Sequence, residues 1–448
     1  MNKHQHISTY FFIGIGGIGM SALARYFNTQ DKKVLGYDRT SSELTQQLVN
    51  EGIEVVYSEN EAVTAINQIN PSHSMVVYTP AVHVQSMLMQ MASKQGFQLI
   101  KRAVLLGEIT SSQPTLAVAG THGKTTTSAI LAHLLKEAND GVTAFLGGIL
   151  QSENSNYIHT GNDVIVVEAD EFDRSFLHLH PNAAVITSTD ADHLDIYKTK
   201  EALHESFELF SKQVSEALFV AEEIQLEGIK YGFTDLAEIY ATNIQVKSGS
   251  YFFDFVYQDM RLQNLELKLP GKHNLSNALA ALALAVNYDT DKAALYAKAL
   301  SSFSGVRRRF NYLYQSPNLT LIDDYAHHPT EIKAAHQAVT EMHPDENVMV
   351  IFQPHLYSRT ENFATDFALS LSNFDEICIL EIYPAREAPI KGVNAQFLLD
   401  KIDHKNKKII EKSDIFNSIE KSSCTVVIFL GAGDIGEEAQ KIKKILNS

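Results

Sequence analysis

The 448-residue sequence has no tryptophan and only two cysteines, Cys378 and Cys424. Both cysteines lie in apolar runs that resemble strands, EICIL and SCTVVIFL. This usage argues against a disulfide framework and favours a reducing compartment. We interpret both thiols as ordinary core side chains.

A long uninterrupted apolar run is also missing. The most apolar helical stretch, Ala278 to Val286, is too short to cross a bilayer, which takes about 20 residues. The apolar stretch TYFFIGIGG near the N-terminus is broken by glycines and has no small-residue cleavage site after it, so no signal peptide is expected. These absences predict a soluble cytoplasmic protein without membrane insertion.

Positive charge is scarce, because 37 lysines and arginines stand against 53 aspartates and glutamates, a formal net charge of -16. The average field would repel nucleic acid and anionic membranes, so neither is an expected partner, although a local pocket can still bind an anionic small molecule. No low-complexity tract or like-charge block occurs, and 45% of the residues are hydrophobic. Length and composition therefore predict a globular chain of two or three domains, with no indication of oligomeric state.

Strand-like and helix-like segments alternate in three successive α/β regions. The strand-like runs are TYFFIGI, KVLGYD, IEVVY and SMVVYTP in the first region, PTLAVAG, DVIVVEAD and AAVITST in the second, and LTLIDDY, NVMVIFQP, EICILEIYP and TVVIFLGAG in the third. This pattern predicts three consecutive domains: Rossmann-like over 1–108, P-loop ATPase-like over 109–305, and Rossmann-like over 306–448. In the second, YFFDFVY and RLQNLELKL alternate as antiparallel strands do and predict a small β insert.

The strongest local signal is the run AGTHGKTT, between a predicted strand and a predicted helix. Its glycines let backbone N–H groups close on phosphates, Lys124 supplies a positive charge, and the Thr125 hydroxyl can ligate Mg²⁺. The spacing G-x-x-G-K-T is shorter than the common G-x-x-x-x-G-K-[ST], which disfavours a generic motor or GTPase. A glycine turn without a ligand is the alternative, but it leaves the lysine and threonine unexplained. We predict ATP binding by Gly120, Thr121, His122, Gly123, Lys124, Thr125 and Thr126.

Acidic side chains follow two later strands of the same region. One cluster comprises Glu168, Asp170, Glu171 and Asp173, and the other comprises Asp190, Asp192, His193 and Asp195. Ligands bind at the carboxyl ends of strands in an open α/β sheet, so both clusters are expected to face the crevice of the phosphate loop. Carboxylates there suit Mg²⁺, although any one acid taken singly is more often a solvated loop residue.

A second glycine pattern, GIGGIG from Gly14 to Gly19, follows the first strand, and Asp38 closes the next strand, where a ribose-binding acid would lie. The pattern indicates a dinucleotide or diphosphate site and does not by itself indicate hydride chemistry. An NAD-dependent oxidoreductase therefore stays open as an alternative, as does a non-catalytic nucleotide-binding switch. A similar pattern from Gly431 to Gly436 is interpreted as a structural turn.

Taken together the motifs resemble the Mur ligase family over nearly the whole chain. The residues that carry the resemblance, in family order, are FIGIGGIGMSALA, AGTHGKTTT, VVEADEFDRSFLHLHP, TDADHLDIY, LPGKHNLSNALAA, FSGVRRRF, DDYAHHPTEI, FQPHLYSRT, IYPAREAPI and GAGDI. The segment EADEFDRSFLHLHP favours the branch that adds L-alanine to UDP-N-acetylmuramate over the branch that attaches a recycled tripeptide to the same UDP-sugar.

The resemblance implies an ATP-dependent ligase that acts on the lactyl carboxylate of UDP-N-acetylmuramate through an acyl phosphate, in peptidoglycan precursor synthesis. It implies that the UDP-sugar binds at Gly14, Gly16, Gly17, Ile18, Gly19 and Asp38. It implies catalytic roles for Lys124, Glu168 and His193, and a Mg²⁺ site at Thr125, Glu168 and His193. The nucleotide would further contact His273, Asn274, Asn277, Arg308 and Asp324 as the third domain closes, and L-alanine would bind at Tyr325, His327 and Arg359.

Several of these assignments compete with simpler interpretations. Imidazole is an unusual ligand for Mg²⁺, so His193 rests on the resemblance alone. Asn274 and Asn277 could instead cap the following helix. Some family members carry a carbamoylated lysine after the metal-site histidine, and the stretch EALHESFELF contains no lysine, in agreement with the alanine-adding branch. In members of the family, an arginine often occupies the position of Leu356 in this chain. Which residue binds the alanine carboxylate therefore stays open.

Overall fold

Three sheets organise the chain in the computed structural model, which describes all residues except 1–3, 5, 84, 191–193, 198, 248, 386 and 448. Strands and helices alternate along the described residues, so the predicted α/β class with three consecutive domains is confirmed. The strand-like runs named above all form strands. Most of them are apolar and buried in the sheets, whereas the edge strands β3 and β15 are only partly buried.

The first sheet is parallel and has the strand order β3-β2-β1-β4-β5. Its central strand is buried along its whole length, as expected for a strand covered on both faces. The elements of this region are β1 (Thr9–Ile13), α1 (Ile18–Thr29), β2 (Lys33–Tyr37), α2 (Glu43–Asn50), β3 (Glu54–Val56), α3 (Glu59–Asn67), β4 (Ser74–Tyr78), α4 (Met87–Lys94), β5 (Gln98–Lys101) and α5 (Arg102–Thr110).

The second sheet has the order β15-β14-β13-β12-β11-β10-β6-β9-β7-β8. Its elements are β6 (Thr115–Ala119), α6 (Lys124–Glu137), β7 (Val142–Leu150), β8 (Ser155–His159), β9 (Val164–Ala169), β10 (Ala183–Ile186), α7 (Leu194–Tyr197), α8 (Lys200–Ser211), β11 (Ala217–Ala221), β12 (Ile229–Gly232), β13 (Ile239–Lys247), β14 (Ser250–Tyr257), β15 (Met260–Leu267), α9 (Lys272–Tyr288) and α10 (Ala293–Leu300). The predicted β insert is present as β14 and β15, which extend this sheet at one edge. Ala278 to Val286, the most apolar helical run, is buried within α9.

The third sheet has the order β16-β17-β21-β18-β19-β20, with an antiparallel edge strand β16 and parallel pairing elsewhere. Its elements are β16 (Asn311–Gln315), β17 (Thr320–Asp324), α11 (Pro329–Met342), β18 (Val348–Phe352), α12 (Tyr357–Asn362), α13 (Ala364–Leu371), β19 (Glu376–Ile379), α14 (Ala395–Leu399), β20 (Lys407–Ile409), α15 (Ile415–Glu420), β21 (Val426–Leu430) and α16 (Ile435–Leu446). Cys378 and Cys424 are free and buried in this region, as predicted.

The chain divides into two compact units. Unit 1 comprises residues 1–243, 253–265 and 277–304, and unit 2 comprises residues 244–252, 266–276 and 305–448. The first sheet and most of the second therefore belong to one unit. No helix among the described residues is long and apolar enough to span a membrane.

Hydrogen bonds of buried side chains join the first two sheets inside unit 1. Arg25 on α1 is 4% exposed and donates to Asn156 on β8 and to the Glu51 carboxylate at 2.7 and 2.8 Å. The Asn156 amide donates in turn to the Ile18 carbonyl at 2.5 Å and to the Ser21 hydroxyl at 3.0 Å. Because buried polar groups are costly unless they are paired, this network fixes α1 against the β7–β8 hairpin.

Candidate active site

The turn between β6 and α6 adopts a conformation that only glycine fits. Gly120 and Gly123 have φ of +133° and +82°, and Gly123 is the residue at the N-terminus of α6. A Cβ on Gly120 would collide with the Thr187 hydroxyl, and one on Gly123 would collide with the Asn277 amide oxygen. The predicted strand, tight turn and helix N-terminus are thus present, an arrangement that can bind phosphate, and ATP binding by these residues stays a prediction.

Two residues that the sequence analysis did not select brace this turn. The Ser188 hydroxyl accepts from the His122 backbone N–H at 2.7 Å and lies 2.8 Å from the Thr121 hydroxyl. The Thr187 hydroxyl donates to the Ala119 carbonyl at 3.0 Å and the His122 carbonyl at 2.5 Å. Their position directly before the motif TDADHLD was the available signal, since the ends of β6 and β10 are adjacent in the sheet.

Lys124 begins α6 and is held by the acid cluster after β9. Its ammonium lies 2.7 Å from the Glu171 carboxylate and donates to the Gly120 carbonyl at 2.6 Å. Burial alone would lower the pKa of Lys124, but the Glu171, Asp170 and Glu168 carboxylates raise the pKa overall. The lysine therefore carries a full positive charge beside the loop, as phosphate binding requires.

Thr125 and Glu168 meet at the same place. The Thr125 hydroxyl donates to the Glu168 carboxylate at 3.1 Å, and the Gly147 backbone N–H donates to its other oxygen at 2.9 Å. A hydroxyl and a carboxylate are hard oxygen ligands of the kind Mg²⁺ takes, with water and phosphate oxygens as the usual remainder. His193, the third predicted metal ligand, lies outside the described residues. Among the residues that are described, no three acids, histidines or cysteines converge on a metal position.

The segment after β9 is held in an unusual backbone conformation. Asp173 and Arg174 both adopt left-handed φ values, of 53° and 54°. The Tyr197 hydroxyl donates to the Glu171 carbonyl at 2.5 Å, and the Arg174 guanidinium lies 5.6 Å from the Tyr197 ring centroid. Two consecutive left-handed residues cost about 1 to 3 kcal/mol each and persist only where surrounding contacts enforce them. These contacts fix Glu171 against Lys124.

The N-terminal glycine turn and Asp38 also come together. Gly14 has φ of +85°, its N–H and that of Ile15 donate to the Tyr37 carbonyl, and Gly17 precedes the first residue of α1. The Asp38 carboxylate accepts from the Gly16 N–H at 2.8 Å. Ile18 and Gly19 continue the turn as the first residues of α1. This geometry matches a diphosphate site at a helix N-terminus with an acid near the nucleoside, and the ligand assignment stays a prediction.

Arg102, the first residue of α5, joins this turn to the acid cluster and was missed by the sequence analysis. A Cβ on Gly19 would lie 3.0 Å from the Arg102 guanidinium, and a cavity is lined by Arg102 together with Glu168 and Asp170. Burial and the neighbouring Glu171 raise the pKa of Asp170, against the attraction of Lys124 and Arg102. Nothing in the stretch IKRAVLLGE distinguishes this arginine from a solvated one, so its role is visible only in the fold.

In unit 2, Arg308 supports the second glycine turn. Its guanidinium donates to the carbonyls of Gly431 and Gly433 at 2.6 and 3.2 Å, and lies 5.0 Å from the Tyr325 ring centroid. The turn from Gly431 therefore has the structural role that the sequence analysis gave it. Asp324 accepts from the backbone N–H groups of Phe310 and Ala326, both at 2.7 Å, and burial raises its pKa to about 6. A nucleotide contact by either residue stays a prediction.

The predicted alanine-binding residues cluster within unit 2 at the ends of β17 and β18. The rings of Tyr325 and His327 are 5.2 Å apart, and the His327 ring is 6.0 Å from that of His355. Arg359, 7% exposed, contacts His355 at 3.5 Å. His355 completes the group and was not selected from the sequence, although it belongs to the motif FQPHLYSRT. Leu356, at the position of the family arginine, has φ of +72° and is buried.

Three of the predicted nucleotide-binding residues, His273, Asn274 and Asn277, occupy the first turns of α9. His273 and Asn274 lie in unit 2, whereas Asn277 lies in unit 1 beside Gly123. The Asn274 amide donates to the Pro270 carbonyl at 2.6 Å, a bond back to the turn that precedes α9. His273 is exposed. A role for these side chains in nucleotide binding stays a prediction.

Comparison with known proteins agrees with these features along the whole chain. Three family models match: the Mur ligase family catalytic domain over residues 9–113, the Mur ligase middle domain over 118–285, and the Mur ligase glutamate ligase domain over 308–443. A UDP-N-acetylmuramate–L-alanine ligase of Christiangramia forsetii is 52% identical, covering 100% of this chain and 99% of the relative. The chain belongs to the Mur ligase family.

Other Mur ligases extend this result. A UDP-N-acetylmuramate–L-alanine ligase of Flavobacterium johnsoniae is 49% identical and covers 100% of this chain and 99% of its own. The solved structure of a UDP-N-acetylmuramate–alanine ligase from Thermotoga maritima superposes with a TM-score of 0.83 at 30% identity, covering 98% of this chain and 99% of that one. A murein peptide ligase of Psychrobacter arcticus shares the fold with a TM-score of 0.70 at 20% identity.

Proposed function

We propose that this Mur ligase joins L-alanine to the lactyl carboxylate of UDP-N-acetylmuramate, using ATP and giving UDP-N-acetylmuramoyl-L-alanine, ADP and phosphate. The observation that carries the proposal is the identity of about half the residues, over the full length, with relatives named UDP-N-acetylmuramate–L-alanine ligase. The reaction is a step of peptidoglycan precursor synthesis, and we place it in the cytoplasm, where ATP is available.

The chemistry explains why a phosphate loop is needed. A carboxylate is a poor acylating agent at neutral pH, so the lactyl carboxylate first attacks the γ-phosphate of ATP, giving an acyl phosphate and ADP. The neutral amine of alanine then attacks the acyl carbon, and phosphate leaves. Nucleophile and phosphoryl group are both anionic, so Lys124 lowers the barrier by offsetting their repulsion. The turn at Gly120 and Gly123 orients the triphosphate.

Thr125 and Glu168 would hold Mg²⁺, with His193 as the further ligand that the family resemblance implies. Bound there, the ion would neutralise charge on the phosphate oxygens. The Thr125 hydroxyl and the Glu168 carboxylate already lie within hydrogen-bonding distance of each other, and the Gly147 N–H orients the carboxylate. An oriented ligand needs little rearrangement when the ion binds.

The remaining assignments divide by unit. In unit 1, the turn from Gly14 to Gly19 would bind the diphosphate and Asp38 the nucleoside, while Asn277 beside Gly123 would contact the nucleotide. In unit 2, His273, Asn274, Arg308 and Asp324 would bind nucleotide, and Tyr325, His327 and Arg359 would bind alanine. With Leu356 in place of the family arginine, Arg359 is the cation we assign to the alanine carboxylate.

Phosphate release tests the proposal. With ATP, Mg²⁺ and UDP-N-acetylmuramate present, we expect release that depends on L-alanine. Release that depends on a tripeptide and not on alanine would replace the proposal with the tripeptide-attaching reaction. Slow ATP turnover that the UDP-sugar does not stimulate would indicate a nucleotide-binding switch, and an absorbance change with NAD and no use of ATP would indicate an oxidoreductase.

The same assay tests the phosphate loop. Lys124→Ala removes the lysine ammonium from the loop, so turnover should fall to background. Binding of UDP-N-acetylmuramate, measured by calorimetry, should stay close to that of the parent chain because the sugar nucleotide is assigned to the other glycine turn. Loss of both turnover and UDP-N-acetylmuramate binding would mean that the two ligands do not bind at separate turns.

A further inference from the structure

Arg102 occupies a position between the two glycine turns of unit 1. It begins α5, and its guanidinium packs on Gly19, with Nη1, Cδ and Cζ at 3.0, 3.1 and 3.3 Å from the place where a Cβ would be. On its other side it lines the cavity that also contains Glu168, Asp170 and Ser175. The side chain is half-buried. One arginine therefore faces both the start of α1 and the end of β9.

The surroundings of this guanidinium are acidic. The cavity that it lines also contains the carboxylates of Glu168, near the end of β9, and Asp170, just beyond the strand. Among the described residues, the Arg102 side chain makes no hydrogen bond and no ion pair within 4.0 Å, in contrast to Arg25 and Arg308, whose donors are engaged. A guanidinium has five donors in a planar fork that suits carboxylate or phosphate, and here they face a cavity.

We propose that Arg102 binds an oxyanion of the sugar nucleotide. The inference rests on the proposed function, because it requires a ligand that carries a diphosphate and a carboxylate. If the diphosphate lies over the turn from Gly14 to Gly19, the guanidinium on Gly19 is within reach of it. If the sugar extends from that turn towards Glu168, its lactyl carboxylate enters the cavity and meets the same fork.

Arg102 would offset the negative charge of the carboxylates around the cavity. The substrate carboxylate has to approach an ATP γ-phosphate next to Glu168, Asp170 and Glu171, in a chain with a formal net charge of -16. Lys124 is already paired with Glu171. Arg102 supplies a positive charge from the side of the glycine turn, so the anionic substrate does not face carboxylates alone.

Calorimetry with two ligands identifies the oxyanion. UDP-N-acetylglucosamine has the same diphosphate and nucleoside as UDP-N-acetylmuramate but lacks the lactyl carboxylate. Charge-assisted hydrogen bonds to a guanidinium stabilise a complex enough that Arg102→Gln should raise the Kd of the bound oxyanion about tenfold or more. Arg102→Lys keeps the positive charge but loses the planar fork, so its Kd should lie between that of Arg102→Gln and that of the parent chain.

The two ligands distinguish which oxyanion Arg102 binds. An equal loss of affinity for both ligands means that Arg102 holds the diphosphate, and a loss confined to UDP-N-acetylmuramate means that it holds the carboxylate. Unchanged affinity of Arg102→Gln for both overturns the inference. If the parent chain itself fails to bind UDP-N-acetylmuramate, the proposed function fails, which is a distinct result.

Two controls guard against a folding artefact. Arg261→Gln removes the same charge from an exposed side chain on the β insert, where Arg261 pairs with the buried Asp254, and should bind both sugar nucleotides as the parent chain does. ATP binding to Arg102→Gln should also match the parent chain, because the loop from Gly120 to Thr126 does not contact Arg102. Loss of ATP binding together with a lower Tm would show that Arg102 supports the fold instead of the ligand.

Discussion

At the scale of single residues, two glutamates at the carboxyl end of β9 contact different partners, Glu168 from within the strand and Glu171 from just beyond it. Glu168 accepts from the Thr125 hydroxyl, and Glu171 holds the Lys124 ammonium. They are three residues apart along the chain, with left-handed backbone beginning just after them at Asp173. One strand end thus supplies both a candidate metal ligand and a counter-ion for the lysine of the phosphate loop.

The ion pair predicts the behaviour of Glu171→Gln. Lys124 is 12% exposed and Glu171 is fully buried, so removing the carboxylate leaves a buried ammonium with weaker compensation. We expect the free energy of unfolding to fall by about 3 kcal/mol, the usual cost of breaking a buried pair from one side. ATP with Mg²⁺ should restore more stability to the variant than to the parent chain, because phosphate oxygens replace the lost partner. Urea unfolding followed by circular dichroism measures both effects.

Glu223→Gln is the matched control, because Glu223 is exposed in the same unit and its loss should change stability by less than about 0.5 kcal/mol. A Glu171→Gln protein as stable as the control would show that Lys124 does not depend on this carboxylate.

The sequence alone predicted those residues whose type and spacing indicate a chemical role. Gly120, Gly123, Lys124 and Thr125 form one short motif, and the fold places them as expected. It did not identify Arg102, Thr187 or Ser188, whose importance comes from strands and helices that are distant along the chain and adjacent in the sheet. A hydroxyl or guanidinium has the same appearance in a sequence whether it faces solvent or a ligand.

At the scale of elements, the strand β6, the turn after it and the helix α6 form one strand–turn–helix motif. The strand is buried along its length, the turn has two left-handed glycines, and the helix starts at Lys124. The backbone N–H groups at the start of α6 can face a phosphate only if the turn keeps this conformation.

Gly123→Ala should therefore disable the loop. An alanine at φ of +82° costs about 1 to 2 kcal/mol, and its Cβ would meet the Asn277 amide oxygen, so the turn has to move. We expect the Kd for ATP to rise about tenfold or more, measured by calorimetry, because that conformational cost and the displaced N–H groups both oppose binding.

Gly52→Ala is the control for backbone strain. Gly52 has a similar φ of +87°, but nothing lies within 4 Å of its Cβ position. This variant should lose a comparable amount of stability and keep the ATP affinity of the parent chain. If both variants bind ATP normally, the turn tolerates a side chain and the geometric argument is wrong.

Most of the strands that the sequence predicted are apolar runs, although β7 and β11 were missed despite their apolar residues. The central strands β1, β6, β9 and β17 are almost wholly buried and stood out as apolar blocks. The short strands β5, β16 and β20 were not predicted. They lie at sheet edges and carry polar or exposed residues, which weaken the apolar pattern of a buried strand. Their existence depends on the neighbouring strand more than on their own composition.

At the scale of the whole molecule, the chain has three sheets and two units. The boundaries predicted at residues 108 and 305 follow the alternation of elements along the sequence. The packing of α1 on the β7–β8 hairpin, which unites the first two sheets, depends on Arg25 and Asn156 and has no local signature.

Both cysteines lie in unit 2, and they predict a chemical probe of that unit. Burial raises the pKa of Cys378 to about 12 and raises that of Cys424, and the thiolate is the reactive form. With Ellman's reagent, the native protein should show almost no reaction at neutral pH, and two thiols per chain should react in urea. Rapid reaction of either thiol in the native protein would contradict the burial of β19 and of the residues before β21.

The amide of Asn156 ties the hairpin to the Ile18 carbonyl and the Ser21 hydroxyl, while its oxygen takes up the Arg25 guanidinium. A chimaera that exchanged residues 1–108 between two relatives would therefore cut through this arrangement and leave the arginine opposite a foreign strand. Such an exchange has to carry residues 142–159 with it, so the transferable module is discontinuous in the gene.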